Sequence, residues 1–149
     1  MNCLVVDPSA TVRRMLARAA TDCGCSEVRE AEGAPQATEL CDETTRLVLT
    51  GWPSSGFDAP ALVSHMRSRD DDAMGRRFVI VTTRSRSEDV QAAVDGGVDL
   101  YLLRPVTPDE LRLRIATAMQ SLPAVRDVEP DDIESIGGGD SNAPVARAA

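Results

Sequence analysis

Four apolar runs in this sequence end on residues whose types bear on what the protein can do. They are Asp7 after Leu4-Val5-Val6, Gly51 after Leu47–Thr50, Thr82 closing Phe78–Thr82, and Arg104 after Leu100–Leu103. In an open parallel sheet, ligands and chemistry sit outside the carboxyl ends of the strands. Residue 51 is therefore where such a fold places a functional side chain, and Gly51 has none. A carboxylate, a hydroxyl and a permanently charged guanidinium share that edge with a position that cannot supply a nucleophile.

The other constellations carry less. His65 is the only histidine and lies beside Arg67 and Arg69, away from the acids, so it reads as an exposed surface residue. No Ser-His-Asp order, Gly-rich phosphate loop or dinucleotide fingerprint is present, and Gly137-Gly138-Gly139 does not sit between a strand and a helix. Cys3, Cys23, Cys25 and Cys41 lack the spacing of a common zinc site. In a reducing compartment they are expected to be free and partly buried.

The elements that position the strand-end residues follow from periodicity. Asn2–Val6 reads as a strand, and a helix from about Ser9 to Cys23 carries Val12, Met15, Leu16, Ala19 and Cys23 on one face. Gly24 stands where a helix end wants a left-handed residue. Glu27–Ala31 alternates as an edge strand, and Ala34–Glu43 forms a second helix with Ala37, Leu40 and Cys41 inward. After the strand Leu47–Thr50, a helix from Asp58 to Arg69 has Asp58 as its cap, Pro60 in its first turn, and Leu62, Val63 and Met66 inward. Phe78–Thr82, the most apolar strand, is expected at the centre of the sheet. Ser85-x-x-Glu88 reads as a capping box for a fourth helix that Gly96-Gly97 ends, and Leu100–Leu103 is a fifth strand. Thr107-Pro-Asp-Glu110 opens a last helix with Leu111, Ile115, Ala118 and Met119 on one face. Five strand–helix alternations with short connections predict an α/β fold, a parallel sheet with helices on both faces.

The chain has 149 residues, enough for one domain and a little more. Its net charge of −8 argues against nucleic acid or an acidic membrane as main partner. All 16 basic residues are Arg. No apolar run is long enough to span a bilayer, and Met1 leads into an apolar strand with no positively charged segment before it, so a cytoplasmic location is expected. Residues 1–121 form the predicted domain. Residues 122–149, with prolines, a glycine triplet and an acidic cluster, are expected to be a disordered tail, a tether or a docking ligand through Val128–Ile136.

Leu4-Val-Val-Asp7 followed by Ser9-Ala-Thr-Val-Arg-Arg14 resembles the opening of a response-regulator receiver domain, closest to the single-domain chemotaxis type, CheY. Glu30-Ala-Glu32, Val48-Leu-Thr-Gly-Trp52, Val81-Thr-Thr83 with Glu88-Asp89, and Arg104-Pro105-x-Thr107-Pro108 fit the same template in order. The resemblance covers about residues 2 to 121 and implies a CheY-like, flavodoxin-like five-stranded sheet of order 2-1-3-4-5. It also implies a cis peptide at Arg104-Pro105 and a partner-binding face on the fourth helix, fifth strand and fifth helix.

Receivers take a phosphoryl group on an Asp after the third strand, with Mg²⁺ on an acidic pair and a hydroxyl and a Lys on the phosphoryl oxygens. By resemblance the acceptor position is Gly51, and the acidic pair is reduced to Asp7 with Pro8 beside it. Thr82 keeps the hydroxyl position, Arg104 replaces the Lys, and Tyr101 matches an aromatic that changes rotamer on activation. The carboxylate nucleophile is lost, and a single Asp should hold Mg²⁺ weakly or not at all, so no cofactor is expected. Arg104 either pairs bidentately with Asp7 or is a Lys-to-Arg exchange in a chain without Lys. Without an acceptor, Thr82 is expected to bond backbone and Tyr101 to be half-buried near the partner face, where it is the best choice for an interface residue. Asp58 is a poor substitute acceptor, since it falls in the turn before the third helix.

Three functions follow. The first is a non-enzymatic two-component or chemotaxis receiver that binds signalling proteins (a histidine kinase, chemotaxis or motor components, or another regulator) without aspartyl phosphorylation. The second is a regulator phosphorylated on an unrecognised acceptor. The third is a small α/β nucleotide-binding protein or enzyme that reuses the vacated pocket.

Overall fold

The computed structural model describes residues 1–70 and 75–120; the tail expected over 122–149 lies outside the described residues. Five strands alternate with five helices: β1 (Asn2–Val6), α1 (Ala10–Asp22), β2 (Glu27–Ala31), α2 (Ala34–Leu40), β3 (Thr45–Thr50), α3 (Ala59–Arg69), β4 (Arg77–Thr82), α4 (Ser87–Gly96), β5 (Leu100–Leu103) and α5 (Pro108–Gln120). All pairings are parallel, in the order β2-β1-β3-β4-β5. β2 is an edge strand, as its alternation predicts. β4 is interior and wholly buried, but the middle place belongs to β3.

Two apolar layers flank the sheet. Val5, Leu47, Leu49, Val79, Val81 and Leu102 pack against Leu16 and Ala20 of α1 and Leu111 and Ile115 of α5. Leu4, Val6, Val48, Phe78, Ile80 and Tyr101 face Ala37 of α2, Leu62 and Val63 of α3, and Val90 and Ala93 of α4. Neighbouring residues of one strand thus feed opposite layers, which is why the inner strands read as unbroken apolar runs. Each large side chain so buried contributes about 1.5–3 kcal/mol.

Helix starts follow their caps in three cases. Ser9 Oγ accepts from Val12 N–H (3.3 Å), Asp58 Oδ1 from Ala61 N–H (3.0 Å) and Thr107 Oγ1 from Glu110 N–H (3.1 Å). The expected capping box at Ser85 is not formed. The loop before α4 is held by Thr82 and Tyr101 instead, so the helix starts at Ser87 with Arg86 at the cap position and no side-chain cap bond. Glu88 and Asp89 still fall in its first turn, where acids suit the helix dipole. Gly24 and Gly97 take positive φ at helix ends (96° and 99°).

α2 ends at Leu40 rather than at Glu43. Cys41 is already extended, and the Asp42 carboxylate accepts from both Thr44 N–H (2.9 Å) and Thr44 Oγ1–H (2.6 Å), a local turn that competes with helix. β3 consequently starts two residues early, at Thr45. β4 starts at Arg77, whose buried guanidinium donates to Ala118 O (3.0 Å) and so does not mark a loop.

Candidate functional site

The sheet's hydrogen bonds run past the ends of the strands and set the carboxyl edge. Asp7 N–H donates to Ala31 O (3.1 Å), Gly51 N–H to Val6 O (2.9 Å) and Arg104 N–H to Thr82 O (2.8 Å). Asp7, Gly51, Thr82 and Arg104 therefore share one edge, as the sequence predicts, and the Arg104-Pro105 peptide is cis.

Asp7 is 4% exposed. Its Oδ1 accepts from Ser9 N–H (2.8 Å), and its Oδ2 points into the space beside Gly51. A Cβ built on Gly51 would fall on Asp7 Oδ2 and come within 2.9 Å of its Cγ, closer than nonbonded atoms allow. The first carboxylate of the edge thus fills the place that a side chain at position 51 would take. Burial raises the Asp7 carboxyl above its ordinary pKa; the Ser9 N–H and the more distant Arg104 and Arg13 charges oppose that shift.

The Asp7–Arg104 ion pair, one of the two readings of Arg104, does not form. Among the described residues Arg104 makes no ion pair, and its Nε is buried without a hydrogen-bond partner. The reason is the direction of Asp7: one oxygen is taken by Ser9 N–H and the other is turned toward Gly51. Arg13 instead donates to the backbone carbonyls of Asp7 (2.9 Å) and Pro8 (3.2 Å) and pairs with Glu30 (3.4 Å).

Thr82 is committed to backbone, as expected without an acceptor. Its Oγ1 donates to Trp52 O (2.7 Å) and accepts from Arg84 N–H (3.1 Å). Tyr101 is not half-buried but fully enclosed, at 0% exposure, with its hydroxyl donating to Arg84 O (2.8 Å). Burial pushes its phenol up, with Asp89 adding and Arg84 opposing. In this arrangement Tyr101 backs the partner face from inside rather than standing on it. The residue is inward although β5 is an edge strand, because position 101 alternates into the layer that also holds Val90 and Ala93 of α4.

One residue at this edge was not legible in the sequence. Arg84 lies with its guanidinium 4.2 Å over the Trp52 ring. It donates from Nε and Nη2 to Pro53 O (3.0 and 2.8 Å) and from Nη2 to Ser54 O (3.0 Å), and its Nη1 bonds and ion-pairs with Asp89 (3.3 Å). Its partners on the other loop lie about thirty positions back, and no local spacing announces such a contact. The only hint is an Arg after a strand-end Thr, opposite a loop that offers an aromatic ring. The four cysteines are free, as expected; the neighbouring Cys25 and burial raise the Cys3 thiol, while Cys3 lowers that of Cys25. His65 is exposed.

Residues 3–116 match the response regulator receiver domain family. The chain belongs to that family. It is 30% identical over 121 residues to the chemotaxis protein CheY1 of Helicobacter pylori, covering 80% of this chain and 97% of that protein. It is 30% identical over 117 residues to a chemotaxis protein CheY homolog of Campylobacter jejuni, covering 77% and 89%. A CheY-like receiver domain from Methanospirillum hungatei superposes with a TM-score of 0.68 at 20% identity, over 79% of this chain and 92% of that one. The protein is thus a CheY-type receiver of two-component and chemotaxis signalling, and its sheet order is that of the CheY-like flavodoxin fold. No described helix is long and apolar enough to cross a membrane.

Proposed function

We propose that this receiver signals by binding other signalling proteins, without aspartyl phosphorylation and without Mg²⁺. The observation that carries the reading is Asp7: its carboxylate occupies the space that a side chain at position 51 would take, and by resemblance the same residue is what remains of the acidic metal pair. A receiver that accepts a phosphoryl group needs both functions at once, a nucleophilic carboxylate and a separate acidic metal site. Here one side chain stands for both.

The residues present do not fit Mg²⁺. Asp7 has one oxygen on Ser9 N–H, Pro8 offers no side-chain oxygen, and the described residues hold no group of three or more His, Cys, Asp or Glu suited to a metal. The partners are proteins of a phosphorelay: a histidine kinase, chemotaxis or motor components, or another regulator. The net charge of −8 disfavours nucleic acid and membrane, and the protein works in the cytoplasm as a binding module rather than an enzyme. With the vacated space filled by Asp7, a nucleotide in that pocket has no support.

Trp52 is the only tryptophan and lies at the edge itself, 8% exposed against Arg84. Its fluorescence should stay flat on titration with beryllofluoride and Mg²⁺ together. A saturable change needing both would contradict the proposal.

A further inference from the structure

Two loops close over the carboxyl edge of the central strands: residues 51–58 after β3 and residues 83–86 after β4. They are joined by one side chain. Arg84 stacks on Trp52 and caps the carbonyls of Pro53 and Ser54 on the first loop, while its Nη1 holds Asp89 at the start of α4 on the second. Its backbone is fixed at the same time: the N–H by Thr82 Oγ1 and the carbonyl by the Tyr101 hydroxyl. Thr82 closes the circuit by donating to Trp52 O.

We propose that Arg84 is a positioning residue, a built-in clamp that fixes the loop before α4 and keeps Tyr101 inward, so that the α4–β5 surface is presented in a single state. This rests on the reading that no phosphoryl group is taken up, and names what holds the loops in its place. The chemistry requires arginine. A planar fork can stack on an indole and still direct separate N–H groups at two carbonyls and a carboxylate. An ammonium group is a point charge and cannot stack and bridge all three. With the clamp removed, the Tyr101 hydroxyl loses the fixed carbonyl that it bonds, and the enclosed rotamer loses its advantage.

Tyr101 is the only tyrosine, so fluorotyrosine labelling gives one reporter. The full-length natural protein should show a single fluorine resonance without any phosphodonor. Arg84→Ala and Arg84→Lys should both show a second resonance, the minor population rising from undetectable to about a tenth or more, with helix content by circular dichroism unchanged and Trp52 emission shifted to the red. If Arg84→Ala fails to fold, Arg84→Lys carries the test alone. An unmoved single resonance in folded variants, even with lowered stability, would make Arg84 merely structural and overturn the proposal. A natural-like Arg84→Lys beside a shifted Arg84→Ala would also overturn it, since charge alone would then suffice. Intact mass of the same samples after acetyl phosphate separates the two ideas. An adduct on the natural protein defeats the phosphorylation-free reading, whereas no adduct with an unmoved resonance defeats the clamp alone.

Discussion

Asp7 carries its charge where burial opposes it, and that fact has consequences for pH. Its carboxyl is raised above the ordinary value, so the folded protein holds the proton more tightly than the unfolded chain does. Its contribution to stability therefore falls as pH rises through the window above about 4, the ordinary aspartate value. Asp7→Asn keeps an acceptor for Ser9 N–H and removes the charge. It should stabilise the protein at neutral pH by roughly 1 kcal/mol, with the gain shrinking as pH approaches about 4. Chemical denaturation across that range measures it, and an equal difference at all pH values would contradict the assignment. Gly51→Ala tests the same geometry from the other side. Its Cβ needs the space of Asp7 Oδ2, so it should cost about 1–3 kcal/mol. In an Asp7→Ala background the cost should nearly vanish, a coupling that a double-mutant cycle reads directly. Additive losses would show that the two positions do not share that space. The identity of both residues was plain in the sequence. Their mutual exclusion was not, because it depends on a rotamer.

At the scale of elements, local signals decided well where the bond that makes them is local. Thr107 and Glu110 are three residues apart and form the expected cap; Ser85 and Glu88 have the same spacing and do not. The difference lies in long-range bonds, from Thr82 to Trp52 and from Tyr101 to Arg84, which shape the loop before α4. Thr107→Ala should therefore lower stability by about 1 kcal/mol while Ser85→Ala leaves it unchanged. Equal effects in thermal unfolding would refute that contrast. β3 and β4 begin earlier than their apolar runs for a related reason. Thr45, Arg76 and Arg77 are polar residues, yet all three are buried, and Arg76 donates to Thr45 O (2.9 Å) and ion-pairs with Asp70. Polarity reads as loop in a sequence, and only tertiary partners make it strand.

For the whole molecule, five alternations of apolar strand and amphipathic helix were enough to set an α/β fold. The order of the strands came through the receiver resemblance, because a crossover leaves no mark in periodicity. The described domain also depends on polar ties at the end of the sheet opposite Asp7. Asp99 accepts from Phe78 N–H (2.9 Å) and ion-pairs with Arg67, whose guanidinium lies 4.7 Å over the Phe78 ring. Asp99→Ala would take the acceptor from the buried Phe78 N–H and one of several partners from the part-exposed Arg67, which keeps Gly97 O, and should cost about 1–3 kcal/mol in equilibrium unfolding; an unchanged stability would show that the tie is dispensable. This base and the upper edge hold a receiver scaffold in which Asp7, Thr82 and Arg84 are bonded within the chain.

We propose that this receiver takes up no phosphoryl group. Intact mass spectrometry of the natural protein after incubation with acetyl phosphate and Mg²⁺ addresses it directly. The mass should stay unchanged under conditions that phosphorylate an ordinary receiver run in parallel. A phosphoryl adduct on the natural protein, mapped to any carboxylate, would contradict it.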